Sequence, residues 1–163
     1  MGGRRSTHHP ESETSMKSTA VYSLKLVKDR TVRFPISDVN TPTQSALLVH
    51  RLIADAPSEH MVVVFLDANM KVIGTTIAIS GGSHGLMVMP KDIFRAALAA
   101  HASGIVLGHN HPSGDTTPSK DDIATTLRLI EAGKLLGIQV MDHVIVAMDR
   151  KSYSMFEHNT VDF

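Results

Sequence analysis

The sequence predicts an α/β (α+β) fold in which helices flank a mixed β-sheet. Three observations carry this. Residues 61–66, MVVVFL, form a continuous apolar run, as expected of a strand buried on both faces. Stretches with helical periodicity open at Thr41, Pro90 and Ser119. Short β-prone runs are interspersed with them, which implies helices packed against a central sheet. A chain of 163 residues is long enough to bury a core for one domain.

Residues 1–18 are polar and unpatterned and read as a disordered tail, leaving 19–163 as the domain. The folded part opens with VYSLKLVKDRTVRFPI, where two β-prone runs around Lys28-Asp29-Arg30 predict a hairpin. Thr41 is a good N-cap, Pro42 suits the first helical position, and Gln44 completes a capping box. Ser45, Leu48, Val49, Leu52 and Ile53 then form a helical stripe. After the buried run, Asp67-Ala68-Asn69 marks a turn and KVIGTTIAIS returns as a partner strand. Pro90 opens a second helix with Ile93, Phe94, Ala97 and Leu98 on one face, broken by Gly104. IVLGHNH is the next strand. Ser119 starts a third helix carrying Ile123, Leu127 and Ile130, with Gly137 closing it. QVMDHVIVA (139–147) is the last strand.

Composition narrows the function classes. Sixteen basic and sixteen acidic residues cancel, so no global positive field attracts nucleic acid or an anionic membrane. The absence of cysteine removes disulfides, thiolate zinc sites and cysteine nucleophiles. No apolar run approaches 18 residues, and no signal-peptide core is present, so no membrane association and a cytoplasmic location are expected.

The chemistry concentrates in GHNHPSGDTTPSKDD, residues 108–122. In a strand, His109 and His111 point to the same face, about 7 Å apart at their backbones, and can converge on one cation. Neutral imidazole is a common zinc ligand. Pro112 ends the strand, Gly114 permits a tight turn, and the chain enters a helix at Ser119. Asp121 and Asp122 both lie in its first turn. Two histidines and one aspartate leave a fourth tetrahedral position for water, the layout of a catalytic zinc. A plainer reading makes Ser119 an N-cap and Asp122 its capping-box partner, stabilised by the helix dipole. Asn110 points away from the histidines and suits a scaffold role. Ser113 and Asp115 shape the turn, and Asp115 could also hold a histidine. His143, in MDHV, either lines the pocket or is a hydrogen-bonded strand histidine. His84, in GGSHG, could gate substrate. A hydrolytic site also needs a proton shuttle. Glu59, just ahead of the buried strand, is the remaining candidate, with a solvated glutamate as its plain alternative.

His109-x-His111, seven residues, Ser119, two residues, Asp122 resembles the JAMM signature of the JAB1/MPN metallopeptidase superfamily. The strings VMPKDIFRAALAAHASGIVLGHNHPSGD and LIEAGKLLGIQVMDHVIV are similar to its RadC-like branch. The resemblance runs over roughly residues 20–150. It implies a cytidine-deaminase-like fold and one Zn²⁺ held by His109, His111 and Asp122, which chooses Asp122 over Asp121 by register. It further implies Glu59 as the catalytic glutamate and Ser119 as the serine that stabilises the tetrahedral intermediate. Active members hydrolyse peptide or isopeptide bonds, so a peptide or ubiquitin-like protein is the expected substrate. Longer RadC-like proteins carry a helix-hairpin-helix region where this chain has a short polar tail, so a nucleic-acid partner is not expected and a DNA-repair role gains no support from the resemblance. A metal-dependent nuclease is disfavoured by neutral charge and few aromatics. A non-catalytic MPN-type binding module is disfavoured by the filled ligand positions. Substrate identity and oligomeric state are not legible in the sequence.

Overall fold

The computed structural model describes residues 18–35, 38–80 and 88–163. Helix α1 spans Pro42–Ile53, strands β1 and β2 His60–Leu66 and Val72–Ser80, and helix α2 Pro90–Ala99. Strand β3 (Gly104–Asn110), helix α3 (Lys120–Leu136) and strands β4 (Gln139–Val146) and β5 (Ser152–Ser154) complete the order. The five strands form one sheet in the order β2-β1-β3-β4-β5. All neighbours are antiparallel except β3 and β4, which are parallel and joined through α3. This is the mixed sheet with flanking helices that the sequence implies.

Period-two alternation divides the core. Met61, Val63, Phe65, Ile105 and Leu107 face Ile93 and Phe94 of α2 and Leu129 and Ile130 of α3. Val62, Val64, Leu66, Val106, Val144 and Val146 face Leu48, Val49 and Ile53 of α1. Both faces of the central strands are therefore covered, which explains why β1 reads as an unbroken apolar run. Helix α1 comes unusually close at Gly108. A Cβ there would lie 2.5 Å from both methyls of Val49.

Several local expectations need correction. Residues 18–35 contain no strand, so the hairpin around Lys28-Asp29-Arg30 does not form. Val21, Tyr22, Leu24, Leu26 and Val27 are exposed, and an isolated two-stranded ribbon with no apolar face to cover is marginal in water. The second helix stops at Ala99, before Gly104; His101 makes the turn at φ 53°, and Gly104 opens β3. Leu98 is exposed. In α3 the buried face is Thr125, Thr126, Leu129, Ile130 and Gly133, whereas Leu127 is exposed. Two threonines hold core positions there, so apolar residues alone misplace the face. Strand β5 was not expected. Asp142 builds it in: its carboxylate accepts from Ser154 Oγ at 2.7 Å and from the Phe156 amide at 3.1 Å. Burial raises the pKa of that carboxyl, against the lowering effect of its three hydrogen bonds.

The tail of residues 1–17 and His84 lie outside the described residues. Among the described residues no helix is long and apolar enough to cross a membrane.

Candidate metal centre

The site lies where β3 ends and α3 begins. The His111 amide donates to Val146 O at 2.9 Å, which carries the β3–β4 ladder one residue beyond β3. His109 and His111 therefore share a face, and Asn110 points to the other. Gly114 then donates to His111 O at 3.1 Å and adopts φ 87°, a conformation that favours glycine. That turn brings Asp115 O back to His111 Nδ1, 2.6 Å away. A carbonyl only accepts, so His111 carries its proton on Nδ1 and leaves the Nε2 lone pair free for a metal. Asp115 thus meets the histidine through its backbone. Its exposed carboxylate accepts from the Thr117 amide at 2.9 Å, which lowers its pKa.

At the start of α3 the two oxygens of Asp122 face different partners. Oδ2 completes a capping box, accepting from Ser119 N at 2.7 Å and Ser119 Oγ at 2.6 Å, while Ser119 Oγ accepts from the Asp122 amide at 3.1 Å. Oδ1 lies 3.3 Å from His109 Nε2. His111 Nε2 is 2.8 Å from His109 Nε2 and 3.7 Å from Asp122 Oδ2. The ligand atoms of His109, His111 and Asp122 all fall within 4.8 Å of one another. Asp121, next in sequence, is exposed and outside this group.

Burial pushes the His109 pKa down from 6.5 to about 4, against the opposing pull of the Asp122 carboxylate and with some help from His111. His109 is therefore neutral at neutral pH, the state that binds metal. Its other nitrogen, Nδ1, is 2.8 Å from Nε2 of His143. His143 is fully buried, and desolvation holds its pKa well below the usual value. It stands behind His109, with Nδ1 2.6 Å from Thr126 Oγ1. Sequence reasoning missed Thr126. The available signal was its spacing: four residues after Asp122, it shares that residue's helix face.

Glu59 immediately precedes β1 and is partly buried. β1 pairs with β3 so that Met61 faces His109 and Val62 faces Gly108. That pairing ends at Met61, two residues after Glu59, and the His60 amide bonds the Asn110 side chain, so Glu59 sits in the segment that enters β1 beside the end of β3. On the opposite face of the sheet, α1 and the β4–β5 connection frame a separate recess. Its lining includes His50, Arg51, Arg150 and Ser152, and none of the metal-site residues.

Two imidazoles and a carboxylate, with no thiolate, form a donor set that suits zinc and can leave one position open. A family model described as the RadC-like JAB domain matches residues 39–160. The chain belongs to the RadC-like JAB domain family. Its curated relatives include UPF0758 proteins. That of Staphylococcus haemolyticus is 40% identical over 124 residues, 76% of this chain and 54% of the relative. That of Caldanaerobacter subterraneus is 45% identical over 105 residues, 64% of this chain and 45% of the relative. A Thermotoga maritima relative is 47% identical over 94 residues, 58% and 41% of the two chains. The RadC-like JAB domain described here spans about half the length of these relatives. Family and site together support a metal-dependent hydrolase or an MPN-type module with a His-His-Asp group that could hold a metal ion.

Proposed function

We propose that this RadC-like JAB domain is a zinc-dependent hydrolase of peptide or isopeptide bonds, acting on a peptide or ubiquitin-like protein. The observation that carries this reading is the convergence of His109 Nε2, His111 Nε2 and Asp122 Oδ1, supplied by one strand end and one helix start. When bound, zinc would polarise the scissile carbonyl and lower the pKa of water from ~15.7 toward ~7. Glu59, in the segment leading into β1, takes a proton from the attacking water and returns it to the leaving nitrogen. Ser119 donates to the developing oxyanion. Its hydroxyl proton is directed at Asp122 Oδ2, so this role requires the hydroxyl to rotate, while the Ser119 amide keeps its bond to that oxygen.

The test pairs zinc-loaded wild type with Glu59→Gln on a panel of peptides and ubiquitin-like fusions. Glutamine keeps the shape and removes the basic oxygen. Zinc content and thermal stability are expected to match wild type, and hydrolysis to fall by roughly 10²–10⁴. Unchanged turnover would make Glu59 a solvated glutamate. A zinc-loaded wild type that cleaves nothing on the panel would favour an MPN-type binding module.

A further inference from the structure

The histidine behind the metal site belongs to a closed circuit that starts and ends on Asp122. Thr126 Oγ1 donates to the backbone carbonyl of Asp122 at 2.7 Å. A carbonyl cannot donate, so the single hydroxyl proton is committed there. The other acceptor within reach, Met155 Sδ at 3.5 Å, is weaker and more distant. Thr126 therefore presents a lone pair to His143 Nδ1 at 2.6 Å, and Nδ1 must carry a proton.

His143 is fully buried, and among the described residues its ring nitrogens meet only Thr126 and His109. A second proton on it would be a buried charge without a counter-ion. Its Nε2 is therefore bare and accepts from His109 Nδ1 at 2.8 Å. His109, 1% exposed, then has its proton on Nδ1 and a bare Nε2. That lone pair faces the equally bare Nε2 of His111 at 2.8 Å and Asp122 Oδ1 at 3.3 Å. Three acceptors converge with no proton left to share among them. A cation relieves that arrangement.

We propose that Thr126 and His143 are positioning residues for metal binding: the threonine hydroxyl, acting through the His143 ring, fixes the tautomer and orientation in which His109 offers Nε2 to the metal. The proposal rests on His109, His111 and Asp122 being the ligands, and it does not require hydrolysis. Among the described residues the Thr126 hydroxyl bonds Asp122 O, His143 and Met155 and not His109, so its effect on His109 travels through His143. Without the hydroxyl, the His143 proton has no acceptor at Nδ1 and is better placed on Nε2. There it donates to His109 Nδ1, which forces the His109 proton onto Nε2 and blocks the ligand lone pair.

The test measures zinc affinity by chelator competition and His109 tautomer by ¹⁵N imidazole NMR on metal-free protein at neutral pH. Wild type is expected to show His109 protonated on Nδ1. Thr126→Val, nearly isosteric, is expected to bind zinc about 10–100-fold more weakly and to move the His109 proton to Nε2. Thr126→Ser is expected to restore both readouts to within a few-fold of wild type, whereas Thr126→Ala should share the loss. Serine and valine variants equally impaired would reduce Thr126 to a packing residue and overturn the proposal. So would a valine variant with wild-type affinity. Wild-type His109 protonated on Nε2 would overturn it without any variant having to fold. Failure to cleave amides would count against the hydrolase reading alone, because neither readout uses a substrate.

Discussion

Asn110 Oδ1 accepts a 2.8 Å hydrogen bond from the backbone amide of His60, fifty residues earlier in the chain. Its Nδ2 donates to Ala56 O at 3.2 Å and Ser58 O at 3.1 Å. The residue between the two histidines thus reaches the other way and ties down the segment that carries Glu59. One strand end carries the two candidate ligand histidines and anchors the segment of the proposed base. Asn110→Ala is expected to destabilise the domain by about 1–3 kcal/mol, since buried polar groups lose their partners. Amide exchange at His60 should accelerate by at least tenfold, with zinc content unchanged because His109 and His111 face away. Unaltered protection of the His60 amide would show that the segment is held by other contacts.

The two buried histidines predict an acid-sensitive metal-free protein. His109 has a folded pKa of about 4 against 6.5, and His143 is lowered well below 6.5. Between those limits the unfolded chain binds protons that the folded chain refuses, so stability is complete above pH 6.5 and falls as pH drops. The slope reaches about 1.4 kcal/mol per pH unit for each histidine. Asp142, whose folded pKa is raised, has the opposite sign: its contribution is present below pH 3.8 and is lost as pH rises through its folded value. Urea midpoints in chelator should therefore decline from pH 7 to pH 5. A flat profile over that range would contradict the neutral, buried state of both rings.

Asp121 and Asp122 are expected to separate cleanly. Asp121→Asn should retain zinc, with only a small loss of favourable helix-dipole interaction. Asp122→Ala should lose zinc and also cost the metal-free protein about 1 kcal/mol, because Oδ2 holds the capping box. Elemental analysis and thermal melting of the two variants check both halves. Equal zinc loss in the two would place the ligand register wrongly.

The legible part of this molecule was what local pattern encodes. Thr41, Ser119 and Gly137 signal helix ends through side-chain caps and a left-handed glycine, and the structure uses all three. The alternation that puts His109 and His111 on one face is equally local. Strand β5 was invisible because Ser-Tyr-Ser has no apolar pattern and is fixed by Asp142, twelve residues before Ser154. The hairpin around Lys28-Asp29-Arg30 was over-read because β-prone residues alone do not bury a strand, and Val21, Tyr22, Leu24, Leu26 and Val27 stay exposed. Thr126 was missed for the converse reason. A threonine in a helix gives no sign of burial until His143, brought in by a parallel strand, meets its hydroxyl. The choice between Asp121 and Asp122 likewise depends on which carboxylate the folded helix start turns toward His109.

The most direct test is elemental analysis of protein purified without added metal, wild type beside His109→Ala. The account predicts about one zinc per chain in wild type and none above background in the variant. Equal zinc in the two proteins, or a wild type that holds none even after zinc is supplied, would contradict a metal centre built from His109, His111 and Asp122.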